Sequence, residues 1–183
     1  MEQNIVRKEM WETAAKAGLV LGGVSIAYMF INQLIAGTSG FMAALLSFVL
    51  WGAKFGGSIW LMAFFMKKHA AEHSEVDNKG TFHLGMAMAL LSALVYSAAA
   101  FANIAFINGD AVAEQMDMMM QQMGSMMDSN TMSMMEAYIE KLPQITFFSN
   151  LIYCTVYGTV LSFILSRNIP SRDPFADYKP DQQ

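Results

Sequence analysis

The chain has 183 residues, of which 55% are hydrophobic and only 14% are charged, and its formal net charge is −4. Soluble domains average about one quarter charged residues, so a soluble protein of this composition would be short of polar surface. The eleven basic residues do not form a stripe, which argues against nucleic acid as a partner. The single cysteine, Cys154, excludes a disulfide framework and a thiolate metal cluster.

Four segments are long and apolar enough to cross a bilayer, which takes about 20 mainly apolar residues. These candidate spans are residues 14–35, 41–66, 82–107 and 146–166. Backbone groups in lipid must bond to one another, so each span is predicted to be a continuous helix. The first span follows Arg7 and Lys8 and could be mistaken for a signal peptide. The run is long and Glu9 and Glu12 interrupt its basic flank, so we interpret it as a retained span.

The distribution of basic residues predicts the orientation. Nine basic residues lie on the side that carries both chain ends and the link between the second and third spans. The opposite side carries only Lys141, together with six acidic residues. This bias places both termini in the cytoplasm. Residues 1–169 are then one transmembrane domain, and residues 170–183, which include three prolines, form an extended cytoplasmic tail.

Small residues at four-residue spacing indicate where helices approach closely in a membrane. Gly18 and Gly22 form one such pair in the first span, and Gly52 and Gly56 form another in the second. Gly85 and Ala89 provide a third, in the span that follows. The pairs fit packing within the bundle, and they equally fit a face for a dimer or a partner protein. Spacing alone leaves both alternatives open.

Lys54 lies near the midpoint of the second span, where a charged residue is costly and is a candidate for function. Counting depth along each helix predicts an intramembrane polar layer at this level, formed by Lys54, Tyr96, Ser97, Tyr153 and Tyr157. No Asp or Glu occurs within the four spans. Three interpretations of Lys54 remain open: a hydrogen-bonded structural amine, a contact for an acidic residue or lipid phosphate of a partner, and part of a proton or solute path.

A methionine-rich segment separates the third and fourth spans, with ten methionines between residues 116 and 135. We expect an outer hairpin over residues 110–142, made of two amphipathic helices at 111–123 and 131–142, with Ser133 and Glu136 as a capping box. Flexible thioethers suit an adaptable contact surface, and clustered thioethers also suit Cu(I). The methionines expected to form the contact surface are Met116, Met119, Met120, Met123, Met127 and Met135.

His69, Glu72 and His73 match the H-x-x-E-H pattern of some zinc peptidases. A peptidase site needs a third ligand and a catalytic domain around it, and the motif here lies at the end of a span. We therefore expect a solvated helix end, with no metal and no cofactor. No Ser–His–Asp set and no phosphate-binding loop is evident, which favours a protein that is not an enzyme.

The whole pattern resembles a bacterial family of short four-span membrane proteins whose function is unknown. The resemblance covers nearly the full chain and is carried by EQMDMMMQQMGSMMDS, then Pro143, and a last span with Gly158 and a Leu-Ser-x-Ile-Leu-Ser ending before Arg167. It implies location in the bacterial cytoplasmic (inner) membrane. It also implies a companion, a membrane-associated glycosyltransferase of the polyprenyl-phosphate type, and supplies no catalytic residues.

The sequence therefore predicts an all-α fold, an integral membrane four-helix bundle with a Met-rich amphipathic helical hairpin on its outer face. The first functional hypothesis is a non-enzymatic accessory or scaffold subunit that positions a membrane partner, as a hetero- or homo-oligomer. The alternative is a small transporter or copper-handling protein that uses Lys54 and the methionines. Four spans without an inverted repeat make transport the weaker hypothesis.

Overall fold

The computed structural model describes residues 2–36, 40–73, 77–123 and 128–169, and within these ranges the chain is helical without a strand. The elements are α1 (Glu2–Ala36), α2 (Phe41–Glu72), α3 (Asn78–Ala102) with a π-helical turn after it (Asn103–Ile107), α4 (Gly109–Met123), α5 (Ser129–Glu140) and α6 (Leu142–Asn168). The all-α prediction is confirmed. The connection at 37–39 and the tail expected at 170–183 lie outside the described residues.

Four of these helices are long and apolar enough to cross a membrane, which supports the prediction of a multi-pass membrane protein. Their candidate spans are Arg7–Ile35, Phe41–Glu72, Asn78–Ile107 and Leu142–Asn168. The helices extend past the predicted limits because their flanks contain good helix formers such as Lys, Glu and Gln. Pro143 does not delay α6, since a proline in the first helical turn loses no intrahelical hydrogen bond.

The third helix, α3, is the centre of the bundle and packs mainly against α6 and α1. Gly18 and Gly22 allow the close approach of α1, because an added methyl group would lie 2.7 Å from Leu91 Cβ or 2.8 Å from Val95 Cγ1. On the other side of α3, a methyl group on Gly85 would collide with Ser162 of α6. These glycines serve packing within the chain, which is one of the two alternatives that spacing left open.

The second helix, α2, is buried only near its C-terminal end. Its buried residues are Met62, Met66, His69 and Ala70, all in the last third of the helix. They join a core with Ala14 and neighbouring residues of α1 and α3. Toward the N-terminal end of α2, Phe41 is 81% exposed and Phe48 is 68% exposed. The bundle is therefore tightly packed at one end and open along α2 at the other.

A π-helical turn at Asn103–Ile107 ends α3, where the sequence had predicted an uninterrupted α-helix to residue 107. The backbone N–H of Asn108 donates to the carbonyl of Asn103 at 2.7 Å, which closes the turn. The Asn108 side chain donates to Asn103 Oδ1 at 2.9 Å and to Gln33 Oε1 at 3.1 Å. These bonds tie the end of α1 to the end of α3.

The methionine-rich segment forms the two helices that were predicted, but α5 begins earlier than expected. Asp128 caps it, since its side chain accepts a hydrogen bond from the Thr131 backbone N–H at 2.9 Å. The capping box predicted at Ser133 is wrong: Ser133 lies inside α5, where its hydroxyl donates to the Asn130 carbonyl at 2.9 Å. A Ser-x-x-Glu pattern also occurs within helices, and Asp128, a strong capping residue, sets the boundary here.

Candidate functional site

The ammonium group of Lys54 lies between two tyrosine rings of neighbouring helices. Nζ is 4.8 Å from the ring centroid of Tyr28 on α1 and 5.3 Å from that of Tyr96 on α3. Among the described residues, no carboxylate lies within salt-bridge distance of Lys54 and no group accepts a hydrogen bond from its Nζ. Two cation–π contacts together are worth about 1–2 kcal/mol, less than the about 3 kcal/mol that a central lysine costs on insertion. The charge is only partly compensated.

A cavity of about 260 Å³ adjoins Lys54 and is enclosed by all four long helices. Its walls are mainly apolar, with the Lys54 amine, three tyrosines, three serines and the Cys154 thiol as its polar lining. The lining residues are Leu21, Ser25, Trp51, Lys54, Phe55, Ser58, Met62, Ala89, Ser92, Ala93, Tyr96, Tyr153, Cys154, Tyr157, Gly158 and Leu161. This composition, an apolar cleft with a few polar groups, is typical of small-molecule sites.

Four of the five residues predicted for a polar layer line this cavity: Lys54, Tyr96, Tyr153 and Tyr157. Ser97 does not line it. Its side chain is fully buried, and among the described residues its Oγ has no hydrogen-bond partner. Tyr96 and Ser97 lie at a similar depth in the membrane, but their side chains point to different sides of α3, because successive residues of an α-helix are rotated by about 100°.

Sequence reasoning missed Tyr28, because it counted depth by Cα position. Tyr28 is nearer to the α1–α2 connection than Lys54 is, so the two residues were assigned to different levels. A helical side chain leans toward the N-terminus of its own helix, and the N-terminus of α2 is at that connection. The long Lys54 side chain thereby reaches the level of Tyr28. The direction of α2 was the signal that could have identified this residue.

Aromatic residues of α2 and α6 form the mouth of the cavity. Trp51 stacks on Phe55 with ring centroids 5.5 Å apart, and Phe55 reaches Tyr157 of α6 at 5.8 Å. Tyr153 stacks on Tyr157 at 6.4 Å. Tyr153 is 70% exposed and Trp51 is 51% exposed, so these cavity-lining rings also face outward. The cavity therefore opens sideways, between α2 and α6.

The outward face of α2 is a second candidate site. A methyl group added to Gly52 or Gly56 would meet no atom of the described chain within 4 Å. The glycines of the pairs in α1 and α3, which are Gly18, Gly22 and Gly85, differ, since an added methyl group on each would meet a neighbouring helix at under 3 Å. The Gly52–Gly56 pair is thus available for a close contact that the chain itself does not make.

The H-x-x-E-H motif is not simply a solvated helix end, and that prediction is wrong for His69. His69 is only 2% exposed, and its ring centroid lies 4.5 Å from that of His73. His73 Nε2 is 3.5 Å from Glu9 Oε2 on α1. The motif faces α1 because it continues the buried stripe of Met62 and Met66. Within the described part of the chain, no three His, Cys, Asp or Glu side chains converge as a metal site.

The methionines of the predicted contact surface are divided in exposure. Met119 is 47% exposed, whereas Met116, Met120 and Met135 are half-buried. Met123 ends α4, and Met127 lies outside the described residues. Other methionines of the hairpin, Met118 and Met134, are 51% and 68% exposed. Both interpretations of the segment, contact surface and copper site, stay predictions.

Comparison with known proteins gives a family but no function. A family model described as "Protein of unknown function (DUF4199)" matches residues 16–167. No curated protein and no solved structure matches the chain. The family match covers all four candidate spans except the first residues of α1 and the last residue of α6. The chain therefore belongs to this family of proteins of unknown function.

Proposed function

We propose that the protein is a non-enzymatic accessory subunit that anchors a second membrane protein through the outward face of α2. The observation that carries this proposal is the open Gly52–Gly56 pair. Helix association in lipid depends on close backbone approach, for which a Gly-x-x-x-Gly pair is the best-known solution. The chain uses its other paired glycines internally and leaves this pair uncovered among the described residues.

The methionine-rich hairpin adds a second surface on the same protein. Met118, Met119 and Met134 expose about half or more of their area, and methionine adapts well to irregular apolar partners. The family resemblance implies a polyprenyl-phosphate glycosyltransferase as the partner. We propose such an enzyme as the first candidate, with a second copy of this chain as the other.

The proposed orientation has both termini in the cytoplasm of a bacterial cell, with the protein in the inner membrane. The helix order supports it: Lys8, Lys68, Lys79 and Arg167 lie at the ends of α1, α2, α3 and α6 that share one side of the bundle. An Asn130→Cys variant in a Cys154→Ser background tests it. A maleimide that does not cross membranes should label this cysteine in intact spheroplasts. Labelling only after lysis would reverse the orientation.

The accessory function is tested by purifying the tagged protein from its native membranes in mild detergent and identifying co-eluting proteins by mass spectrometry. The variants Gly52→Leu and Gly56→Leu should lose the partner without loss of fold, since the added side chains meet open space. Gly23→Leu is the matched control, because Gly23 also has nothing within 4 Å. Partner recovery that is unchanged in the Gly52 and Gly56 variants would refute this docking face.

The second candidate function is a small transporter or metal-handling protein, and the Lys54 cavity is the observation that favours transport. If the protein is a transporter, reconstituted liposomes should show solute or proton flux that Lys54→Met abolishes.

Copper handling is tested by a competition titration, in which a Cu(I) chelator competes with the purified protein for the metal. A tight Cu(I) site that is lost on replacing Met118 and Met119 would establish metal handling and displace the accessory proposal.

A further inference from the structure

The cavity at Lys54 has the features of a binding site, whatever protein docks on α2. Of the described residues that line it, Lys54 alone is charged, and the others are aromatic, aliphatic or weakly polar. The two tyrosine rings at 4.8 and 5.3 Å stabilise the ammonium without accepting a classical hydrogen bond. An ammonium group has three N–H donors, and the described residues provide no oxygen acceptor for any of them. An anion would supply acceptors for these donors.

The hydroxyl groups around the cavity complement an anion as well. Tyr96, Tyr153 and Tyr157 all line it, and none of their hydroxyls has a hydrogen-bond partner among the described residues. A phenol donates one hydrogen bond, so these groups can share the oxygens of an acidic headgroup with Lys54. No acidic side chain lines the cavity to repel it.

The position of the mouth indicates that the ligand enters from the bilayer. The exposed rings of Trp51 and Tyr153 lie on α2 and α6, 10 and 11 residues after the first residue of each helix. In a membrane these positions face acyl chains, so a ligand that reaches them must be soluble in lipid. A free inorganic anion would have to cross the apolar region to arrive there.

The volume limits the part of the ligand that the cavity can hold. At about 260 Å³ the cavity is just below the range of small-molecule pockets, about 300–1,000 Å³. It can contain a small acidic group and the first methylenes of one chain. The remainder of that chain must leave between α2 and α6, past the rings of Phe55 and Tyr157, where the α2 residues before Met62 are not buried.

We propose that this cavity binds the carboxylate of a long-chain fatty acid, paired with Lys54, while the acyl chain leaves between α2 and α6. The carboxylate replaces the counter-ion that the protein's own spans do not supply. The tyrosine hydroxyls complete its hydrogen bonds, and Trp51 and Phe55 contact the chain. The proposal is independent of docking at Gly52 and Gly56, which lie on the outward face of the same helix.

Trp51 provides a direct readout, because it lines the cavity mouth. With Trp11→Phe and Trp60→Phe in place, Trp51 is the only tryptophan, and stearic acid with a nitroxide near its carboxyl end should quench its fluorescence saturably. The methyl ester of the same probe, which has no charge, should not saturate. Lys54→Met should raise the apparent Kd about tenfold or more, whereas Lys54→Arg should preserve binding. A Trp60-only variant is the control, because Trp60 is exposed on α2 and does not line the cavity.

Two further measurements keep the result interpretable. Size-exclusion profiles and thermal unfolding of the Lys54→Met variant confirm that its fold is intact, as expected when a costly charge is removed from the membrane. Competition with acetate and with inorganic phosphate distinguishes a fatty acid from a free anion. Equal quenching by acid and ester, Kd values unchanged in Lys54→Met, or full displacement by acetate or phosphate would each overturn the proposal.

Discussion

The hydroxyl of Ser162 on α6 donates a hydrogen bond to the backbone carbonyl of Phe82 on α3, 2.9 Å away. The bond lies beside Gly85, whose lack of a side chain makes room for Ser162. Ser162 is fully buried, so water does not compete for this contact. A polar bond and a glycine together fix the distance between the two helices of the bundle that have the largest mutual contact.

Removing this bond should weaken the bundle measurably. We expect Ser162→Ala to lower the free energy of unfolding by about 1 kcal/mol, the scale of interhelical hydrogen bonds in membranes. Unfolding by SDS titration in mixed micelles measures this change. Ser166→Ala is the control, since the buried Ser166 hydroxyl bonds only within its own helix, to Phe163 at 3.0 Å. An equal effect of both substitutions would show that the hydrogen bond between α6 and α3 adds nothing to the free energy of unfolding.

Two glycines of α1 should respond oppositely to the same substitution. Gly18→Ala places a methyl group 2.7 Å from Leu91 Cβ, which should destabilise the fold by about 1–3 kcal/mol through overpacking. Gly23→Ala meets nothing within 4 Å and should be neutral or slightly stabilising, because alanine favours the helix. Thermal unfolding of both variants in one detergent compares them. A tolerated Gly18→Ala would contradict the close approach of α1 and α3.

The stability of helix α5 should fall in acid, because its N-terminal cap is the carboxylate of Asp128. Hydrogen bonds from the Thr131 side chain and backbone N–H lower the pKa of Asp128 below its usual value. The cap therefore stabilises α5 fully above the pKa of an unfolded Asp, about 4, and this contribution is lost as pH falls through the lower pKa of the folded state. Amide exchange in α5 between about pH 2 and pH 6 should show this loss.

An Asp128→Asn variant is the control for the cap, because asparagine caps helices and does not titrate in this range. It should keep α5 protected from exchange at neutral pH and remove the acid-dependent change. A pH dependence that persists in this variant would assign the effect to another carboxylate.

Replacing His69 by leucine should leave the fold as stable as before or more stable. His69 is 2% exposed and its Nδ1 has no hydrogen-bond partner among the described residues. Since an unsatisfied buried polar atom is costly, an apolar residue of similar size removes a penalty. Thermal unfolding measures the change, with His73→Leu as the contrasting variant because it loses the contact with Glu9. Strong destabilisation by His69→Leu would mean that Nδ1 has a bound ion or water as its partner.

The four candidate spans could be predicted from sequence because length and apolar composition, which make a helix able to cross a membrane, are read directly from the residues. The grouping of Lys54 with Tyr96, Tyr153 and Tyr157 followed from depth, which sequence distance approximates well. The direction in which each side chain points depends on helix rotation, and no sequence signal here supplied it. For that reason Ser97 was included, whereas Tyr28 was missed because depth was counted by Cα position.

The partners of small residues could not be predicted either. Gly18, Gly52 and Gly85 have the same spacing signature, yet Gly52 alone of the three meets nothing in its own described chain. The difference arises because α3 is central and α2 lies at the edge of the bundle, a fact of tertiary packing. The burial of His69 has the same origin. Its flanks, Lys67, Lys68 and Glu72, are exposed as their charge predicts, whereas tertiary packing covers the histidine.

The buried residues of α2 all lie from Met62 onward, and the part before them meets the other helices chiefly through Lys54 and Phe55, so a pivot of α2 about its C-terminal third would change these contacts first. The part from Phe41 to Met62 is about 30 Å long at 1.5 Å per residue. A tilt of about 5° at the pivot would displace its far end by about 3 Å, with little disturbance of the packed core. Lys54 and the cavity mouth lie on this part of α2, so a partner that tilted the helix from outside would change the shape of the ligand site, and a ligand that tilted it from inside would change the docking face.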